Sequence, residues 1–205
     1  MSPFLPFMLF AFVASITPGP TNILVLTNSS RYGMLAVLPI VFGACTGAAM
    51  IVMIVGMGLG DVLVRYHGVQ TAMSWIGIAW LTYLAWQIFS SSAVIVESRD
   101  AANASQPKGP SLGMFGGASL QLVNPKTWMM ALAVVSVFAG TEADRTTRVL
   151  YLSLAFFLIS IPCMSAWAYL GARAARFCTS ARAMQRFNQT MALLLLASTW
   201  LTLWV

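Results

Sequence analysis

One lysine stands where a charge is expensive. Residues 109–141 carry a single charged side chain, Lys126, inside the run Leu122-Val123-Asn124-Pro125-Lys126-Thr127. A cation at the centre of a hydrocarbon layer costs about 2.5–3.5 kcal/mol on insertion scales. Such a residue snorkels to an interface, caps the carbonyls that end a helix, or meets an anion in a polar cavity. A second run, Ile16-Thr17-Pro18-Gly19-Pro20-Thr21-Asn22, has no charge but two prolines around a glycine. Proline lacks a backbone N–H and clashes with the turn before it, so both runs predict an interrupted helix. Inside a membrane the backbone groups freed at each break need partners in protein or in a water-lined cavity.

These breaks suggest a binding chemistry. A new half-helix is expected to start near Thr21 and another near Thr127, each threonine serving as an N-cap. Two positive helix N-termini converging near the midplane suit a carboxylate. The carbonyls that end the preceding halves, near Ser15–Thr17 and Gln121–Val123, suit an ammonium group. Together they suit a zwitterionic amino acid. Pro18, Gly19 and Pro20 form the first break in this reading, and Asn124 and Pro125 the second. Thr21, Asn22, Lys126 and Thr127 are the expected substrate contacts, with Gln121 a lesser candidate.

The elements that hold these runs follow from where charge is missing. Of 205 residues, 59% are hydrophobic and 8% charged, against about 25% charged in soluble domains. Residues 2–30, 32–60, 149–172 and 187–205 carry no charge, and 66–96 carry only His67. A spanning helix needs about 20 mostly apolar residues. The chain has room for six, at 3–27, 34–60, 69–90, 112–139, 149–171 and 187–204. The apolar runs are continuous rather than alternating, which excludes a membrane β-barrel. The expected fold is all-α: a polytopic membrane protein of six helices, arranged as two inverted three-helix repeats whose first helices are broken. Residues 1–90 form the first repeat, 91–111 a cytoplasmic linker rich in Ser, Ala, Pro and charge, and 112–205 the second repeat. Matching broken helices in inverted halves point to a transporter's central site.

Basic residues set the expected direction. Loops after spans 1, 3 and 5 hold seven Lys and Arg, including Arg31, Lys108 and Arg173, against three after spans 2 and 4, Arg65, Arg145 and Arg148. Cytoplasmic loops carry the excess, so both termini are expected outside. The N-terminal apolar run is too long for a cleavable signal and lacks a basic region before it. Cys45, Cys163 and Cys178 are too few and too apolar in context for a disulfide framework or metal cluster. The spacings Gly43-x-x-x-Gly47, Gly56-x-x-x-Gly60 and Gly113-x-x-x-Gly117 suit close helix contact within the bundle. Trp75, Trp80, Tyr83 and Trp86 lie along span 3; the later ones fit an interfacial belt, and Tyr83 a cavity lining.

No carboxylate lies deep in a span. Asp61, Glu97, Asp100, Glu142 and Asp144 all fall in loops or at span ends. A cationic substrate side chain would lack a counter-charge, which favours neutral amino acids, and proton coupling would lack the usual intramembrane acid. An integral-membrane enzyme generally needs clustered His, Asp, Glu or Cys, and this composition argues against one. A passive channel remains the alternative to a carrier. No cofactor and no metal is implied. The expected partners are an amino acid, the lipid bilayer and coupling protons. Nucleic acid is excluded, and a homo-oligomer stays open.

Thr17-Pro-Gly-Pro-Thr-Asn22, Arg31-Tyr-Gly33 and Asn124-Pro-Lys126, with Trp75-Ile-Gly77 and Tyr83-Leu-Ala-Trp86, resemble the LysE/RhtB family of bacterial amino-acid exporters. The likeness covers nearly the whole chain and looks nearest the cysteine/O-acetylserine exporter branch. It implies efflux of amino acids or their derivatives across the inner membrane, driven by the proton gradient. One departure stands out. Some relatives carry an acid after a glycine in the second span, and here that stretch is Gly43-Ala-Cys-Thr-Gly47-Ala48.

Overall fold

A computed structural model describes residues 4–90, 112–140, 144–177 and 180–201. The linker at 91–111, with Glu97, Arg99, Asp100 and Lys108, lies outside the described residues. So do Glu142 and Cys178, and the side chains of His67 and Arg176. The described residues are helical throughout, with short connections and no strand: α1 Phe4–Ile16, α2 Pro20–Tyr32, α3 Met34–Ile54, a π-helical turn Val55–Leu59, α4 Gly60–Arg65, α5 His67–Ser90, α6 Met114–Leu122, α7 Pro125–Phe138, α8 Arg145–Phe177 and α9 Ala181–Trp200.

Both expected breaks are present. α1 and α2 meet at a bend of 52°, and α6 stops at Leu122 before α7 restarts at Pro125. Among the described residues, three stretches are long and apolar enough to cross a membrane: Met34–Arg65, Thr71–Ser90 and Arg145–Ala174. The bent pair α1–α2 makes a fourth. The other two expected spans are helical but fall short of that measure for physical reasons. The second break divides one into α6 and α7, each short alone. The first half of α9 carries Arg182, Gln185, Arg186, Asn188 and Gln189.

Two glycines solve local backbone problems. Gly33, at φ 84°, is the single residue between α2 and α3, and its N–H bonds Ser29 O at 3.0 Å. Gly58, at φ 125°, kinks the π-helical turn. Left-handed values of this kind favour glycine. The Gly56 carbonyl in this turn accepts from Arg145 Nε at 3.0 Å, while Arg145 also approaches Asp61 at 3.7 Å.

α3 packs along α6 and α8, α2 along α8, and α5 along α9. Close approach relies on missing side chains. A β-carbon at Gly43 would overlap the Met114 carbonyl, one at Gly117 the Ile40 carbonyl, and one at Gly47 would lie 2.8 Å from Ala118 O. On α8, Gly171 admits the Leu26 carbonyl in the same way. Three apolar clusters fill the bundle. Phe7, Ile51, Val52, Val134 and Phe156 join α1, α3, α7 and α8. Ile23, Leu24, Leu81, Leu120 and Leu195 join α2, α5, α6 and α9. Val25, Ile40, Val41, Met164 and Ala168 join α2, α3 and α8. The outer surface is also apolar: Leu9, Val13, Trp75, Ile76, Trp80, Trp86, Leu150 and Leu158 are exposed. Large contiguous apolar surface of this kind suits lipid rather than water.

Candidate functional site

The site grows from the two breaks. At the first, Thr17, Pro18 and Gly19 separate α1 from α2. Gly19 is the N-cap, with extended backbone and no side-chain cap, and Pro20 takes the first helical position. The first intrahelical bond runs from Ile23 N–H to Gly19 O at 3.1 Å. The N–H groups of Thr21 and Asn22 therefore lack intrahelical partners, as the first turn of any helix dictates. At the second break, Asn124 is the N-cap and Pro125 takes the first helical position. The Asn124 side chain accepts from Lys126 N–H at 3.2 Å.

This corrects the expected caps. The half-helices are capped at Gly19 and Asn124, two and three residues earlier than Thr21 and Thr127 would set them. The reason is proline: its fixed φ suits the first helical position, where its missing N–H costs nothing, so the cap is the residue before it.

The freed carbonyls are also accounted for within the protein. Asn22 Nδ2 folds back to donate to Ser15 O at 2.9 Å and to Thr17 O at 3.2 Å. Lys126 Nζ donates to Thr17 O at 2.9 Å. An indole N–H caps each first half-helix: Trp167 Nε1 donates to Ile16 O at 3.1 Å and Trp128 Nε1 to Leu122 O at 2.9 Å. Gln121 O accepts from Asn124 N–H at 3.3 Å. The Val123 carbonyl presses on Gly77, where a β-carbon would overlap it. Of the carbonyls expected to receive a substrate ammonium, those of Ser15, Ile16, Thr17, Gln121 and Leu122 thus already accept hydrogen bonds, and that of Val123 packs on Gly77. Lys126 caps the end of α1, in the other half of the chain, rather than the end of α6.

A buried polar network joins the breaks. Gln121 Oε1 accepts from Thr127 Oγ1 at 2.6 Å, from Asn124 Nδ2 at 3.3 Å and, weakly, from Thr21 Oγ1 at 3.5 Å. Asn124 Nδ2 also donates to Thr21 Oγ1 at 3.1 Å. All four residues are buried, as is Asn22.

Between the halves lies a cavity of about 40 Å³, room for about three water-sized groups. Gly19, Thr21, Asn22, Gln121, Asn124, Lys126 and Thr127 line it. Pro18 does not; it is exposed at the outside of the break. Pro20 and Pro125 are buried and do not line it either; they shape the backbone. Lys126, Ala14 and Met130 also border a second cavity of about 300 Å³ between α1, α7 and the end of α9. The Lys126 ammonium uses one of its three protons on Thr17 O. A β-carbon built on Gly19 would lie 3.1 Å from Nζ. The free charge thus sits over the uncapped N-terminus of α2, and the two together favour an anion. Tyr83 lines a different groove, with Arg31, Asn28 and Gln87.

Sequence reasoning missed the opposite wall: Ala44, Cys45 and Ala48 from α3, and Phe156, Ser160 and Met164 from α8. The α3 residues lie in the Gly43–Ala48 stretch, which reads as a packing spacing, and the α8 residues have no motif around them. It also missed Trp128 and Trp167, for which a tryptophan away from a span's ends was an available signal.

The sequence profile of the LysE type translocators matches residues 12–199. The chain belongs to this family. It is 27% identical over 166 residues to a cysteine/O-acetylserine efflux protein of Salmonella typhimurium, covering 80% of each chain. It is 23% identical over 183 residues to a homoserine/homoserine lactone efflux protein of the same organism, covering 89% of this chain and 87% of that one. A membrane protein of Vibrio cholerae without an assigned role is 25% identical over 185 residues, covering 90% and 88%. No solved structure matches the chain. The family resemblance drawn from the two breaks therefore holds, and this LysE type translocator belongs among membrane exporters with amino-acid efflux relatives.

Proposed function

We propose that this translocator exports small neutral amino acids or their derivatives from the bacterial cytoplasm by alternating access, driven by the proton gradient. The observation that carries the reading is Lys126 over the uncapped start of α2, in a small cavity between the two halves. The substrate carboxylate binds there. Its ammonium is taken by side-chain oxygens of the cavity, because the backbone carbonyls are engaged. The relatives' substrates support a small solute.

The halves are read as inverted repeats, 1–90 and 112–205. Exchanging α1, α2, α3 and α5 for α6, α7, α8 and α9 turns each main packing pair into another that is also present. α3–α6 becomes α8–α1, and α2–α8 becomes α7–α3. α3–α8 and α5–α9 map onto themselves. Both breaks also share a proline at the first helical position and an indole on the last carbonyl. Length supports six spans: the 23 residues of α6 and α7 and the 20 of α9 rise about 35 and 30 Å, enough for a hydrocarbon core of about 30 Å. The arginine distribution supports an inner-membrane orientation with both termini outside.

Uptake of labelled amino acids into inside-out vesicles tests this reading, with and without a proton gradient. Saturable uptake of a neutral amino acid, raised by the gradient, is expected. Its absence for every amino acid would sink the exporter. Equal uptake with and without the gradient would remove proton coupling alone. Counterflow separates a carrier from a passive channel, since only a carrier exchanges label across the membrane.

A further inference from the structure

The cavity has two unlike walls. One, from α1, α2, α6 and α7, holds Lys126 and the network of Gln121, Asn124, Thr127 and Thr21. The other, from α3 and α8, is built from small and apolar residues: Ala44, Ala48, Phe156 and Met164. Two polar side chains interrupt it. Cys45 from α3 and Ser160 from α8 are both buried and line the cavity. The Ser160 hydroxyl donates to its own helix at Phe157 O, 2.9 Å away, which leaves its lone pairs as acceptors. At the edge between the walls, Ser15 Oγ is a buried hydroxyl with no hydrogen-bond partner among the described residues. Buried polar groups are ordinarily satisfied, and one left open in a cavity wall marks a place where a ligand completes the bonding.

We propose that Ser15, Ser160 and Cys45 form the subsite that reads the substrate's side chain. It selects a short side chain ending in a hydroxyl or thiol over the aliphatic isostere. This deepens the transport reading above and rests on it. A substrate carboxylate held at Lys126 leaves its side chain to face the α3–α8 wall. Ala44 and Ala48 present only small side chains there, and Phe156, Met164 and Met130 line the rest. A hydroxyl or thiol donates to Ser160 and accepts from Ser15. A methyl in the same place leaves the Ser15 hydroxyl without a partner and makes no bond to the Ser160 lone pairs. A site built to bond a substrate hydroxyl rejects the analogue without one far better than an apolar pocket rejects an extra group.

The test is counterflow with the purified full chain in proteoliposomes, using matched competitors: L-serine or L-cysteine against L-2-aminobutyrate, and L-homoserine against L-norvaline. The wild type is expected to prefer the hydroxyl or thiol member by about tenfold, the ratio an unmade buried hydrogen bond produces. Ser15→Ala and Ser160→Ala should each bring that ratio towards one while 2-aminobutyrate exchange continues. Equal competition by both members in the wild type would overturn the subsite and leave the exporter standing. An unchanged ratio in both variants would overturn these serines as its basis. No saturable counterflow with any amino acid would bring down the transport reading and the subsite together. Should a variant fold poorly, the wild-type ratio still decides, as does the shift in Tm of purified wild type with serine against 2-aminobutyrate.

Discussion

The two breaks begin alike and finish differently. Each places proline at the first position of the second half-helix, and each seats a tryptophan N–H on the last carbonyl of the first. The second break then closes on itself. Asn124 caps α7, Gln121 Oε1 gathers Thr127 and Asn124, and the Val123 carbonyl wedges against Gly77. The first break stays open. Gly19 offers no side chain, Pro18 is exposed, and the cation that completes the break comes from the other half of the chain. In the proposed transport reading, the two breaks matched in sequence divide the work: one receives an anion, and the other is a mount that aims a charge at it.

Removing the charge should break this arrangement most severely. Lys126→Ala deletes the ammonium while leaving the α2 N-terminus, so transport in proteoliposomes should fall about a hundredfold or more, as for loss of one partner of a buried charge pair. The amount of protein in the membrane should not change, because removing a charge from a span favours insertion. Transport at the wild-type rate would show that the carboxylate is bound elsewhere.

How much of this was legible beforehand differs between breaks and wall. The helical runs were visible because hydrocarbon forbids charge, and the break positions because proline forbids a continuous helix. Gly19-Pro20 and Asn124-Pro125 also contained the caps, since proline prefers the position just after one; threonine as a capping residue sets the expected starts two and three residues too late. The role of Lys126 was only half legible. Its spacing showed a misplaced charge, but nothing local revealed that its carbonyl partner lies 109 residues away at Thr17. Ser15 was legible only as a carbonyl beside the break and Cys45 only as a cysteine in an apolar run; with Ser160 they share a cavity only through the crossing of α1, α3 and α8. The glycine spacings did announce close contact: Gly43, Gly47 and Gly117 carry the α3–α6 crossing, whereas a β-carbon at Gly113 would meet nothing.

The glycines beside the breaks sharpen the contrast next. Gly77→Ala drives a methyl into the Val123 backbone, which the capped second break cannot move aside. Overpacking of this kind costs about 1–3 kcal/mol, so the variant should show a lower Tm in detergent together with weaker transport. Gly19→Ala meets instead the flexible Lys126 side chain, at 3.0 Å from Cδ and 3.1 Å from Nζ. The lysine can swing away, so Tm should hold while KM rises about fivefold, the effect expected of a displaced anion contact rather than a lost one. Equal losses of Tm in both variants would abolish the distinction between a rigid and a yielding break.

The smallest effect should come from the bond that ties the breaks together. Thr21 donates to Gln121 Oε1 at 3.5 Å and accepts from Asn124 Nδ2 at 3.1 Å. The first of these is too long to matter much. Thr21→Val keeps the shape and removes the hydroxyl, leaving Asn124 Nδ2 its bond to Gln121. The cost should stay near 1 kcal/mol, the net value of one ordinary hydrogen bond, with transport within about threefold of wild type. Thermal unfolding and uptake measured side by side decide the matter. If Thr21→Val matched Lys126→Ala in transport, the network itself, and not the charge it aims, would be the substrate's receptor.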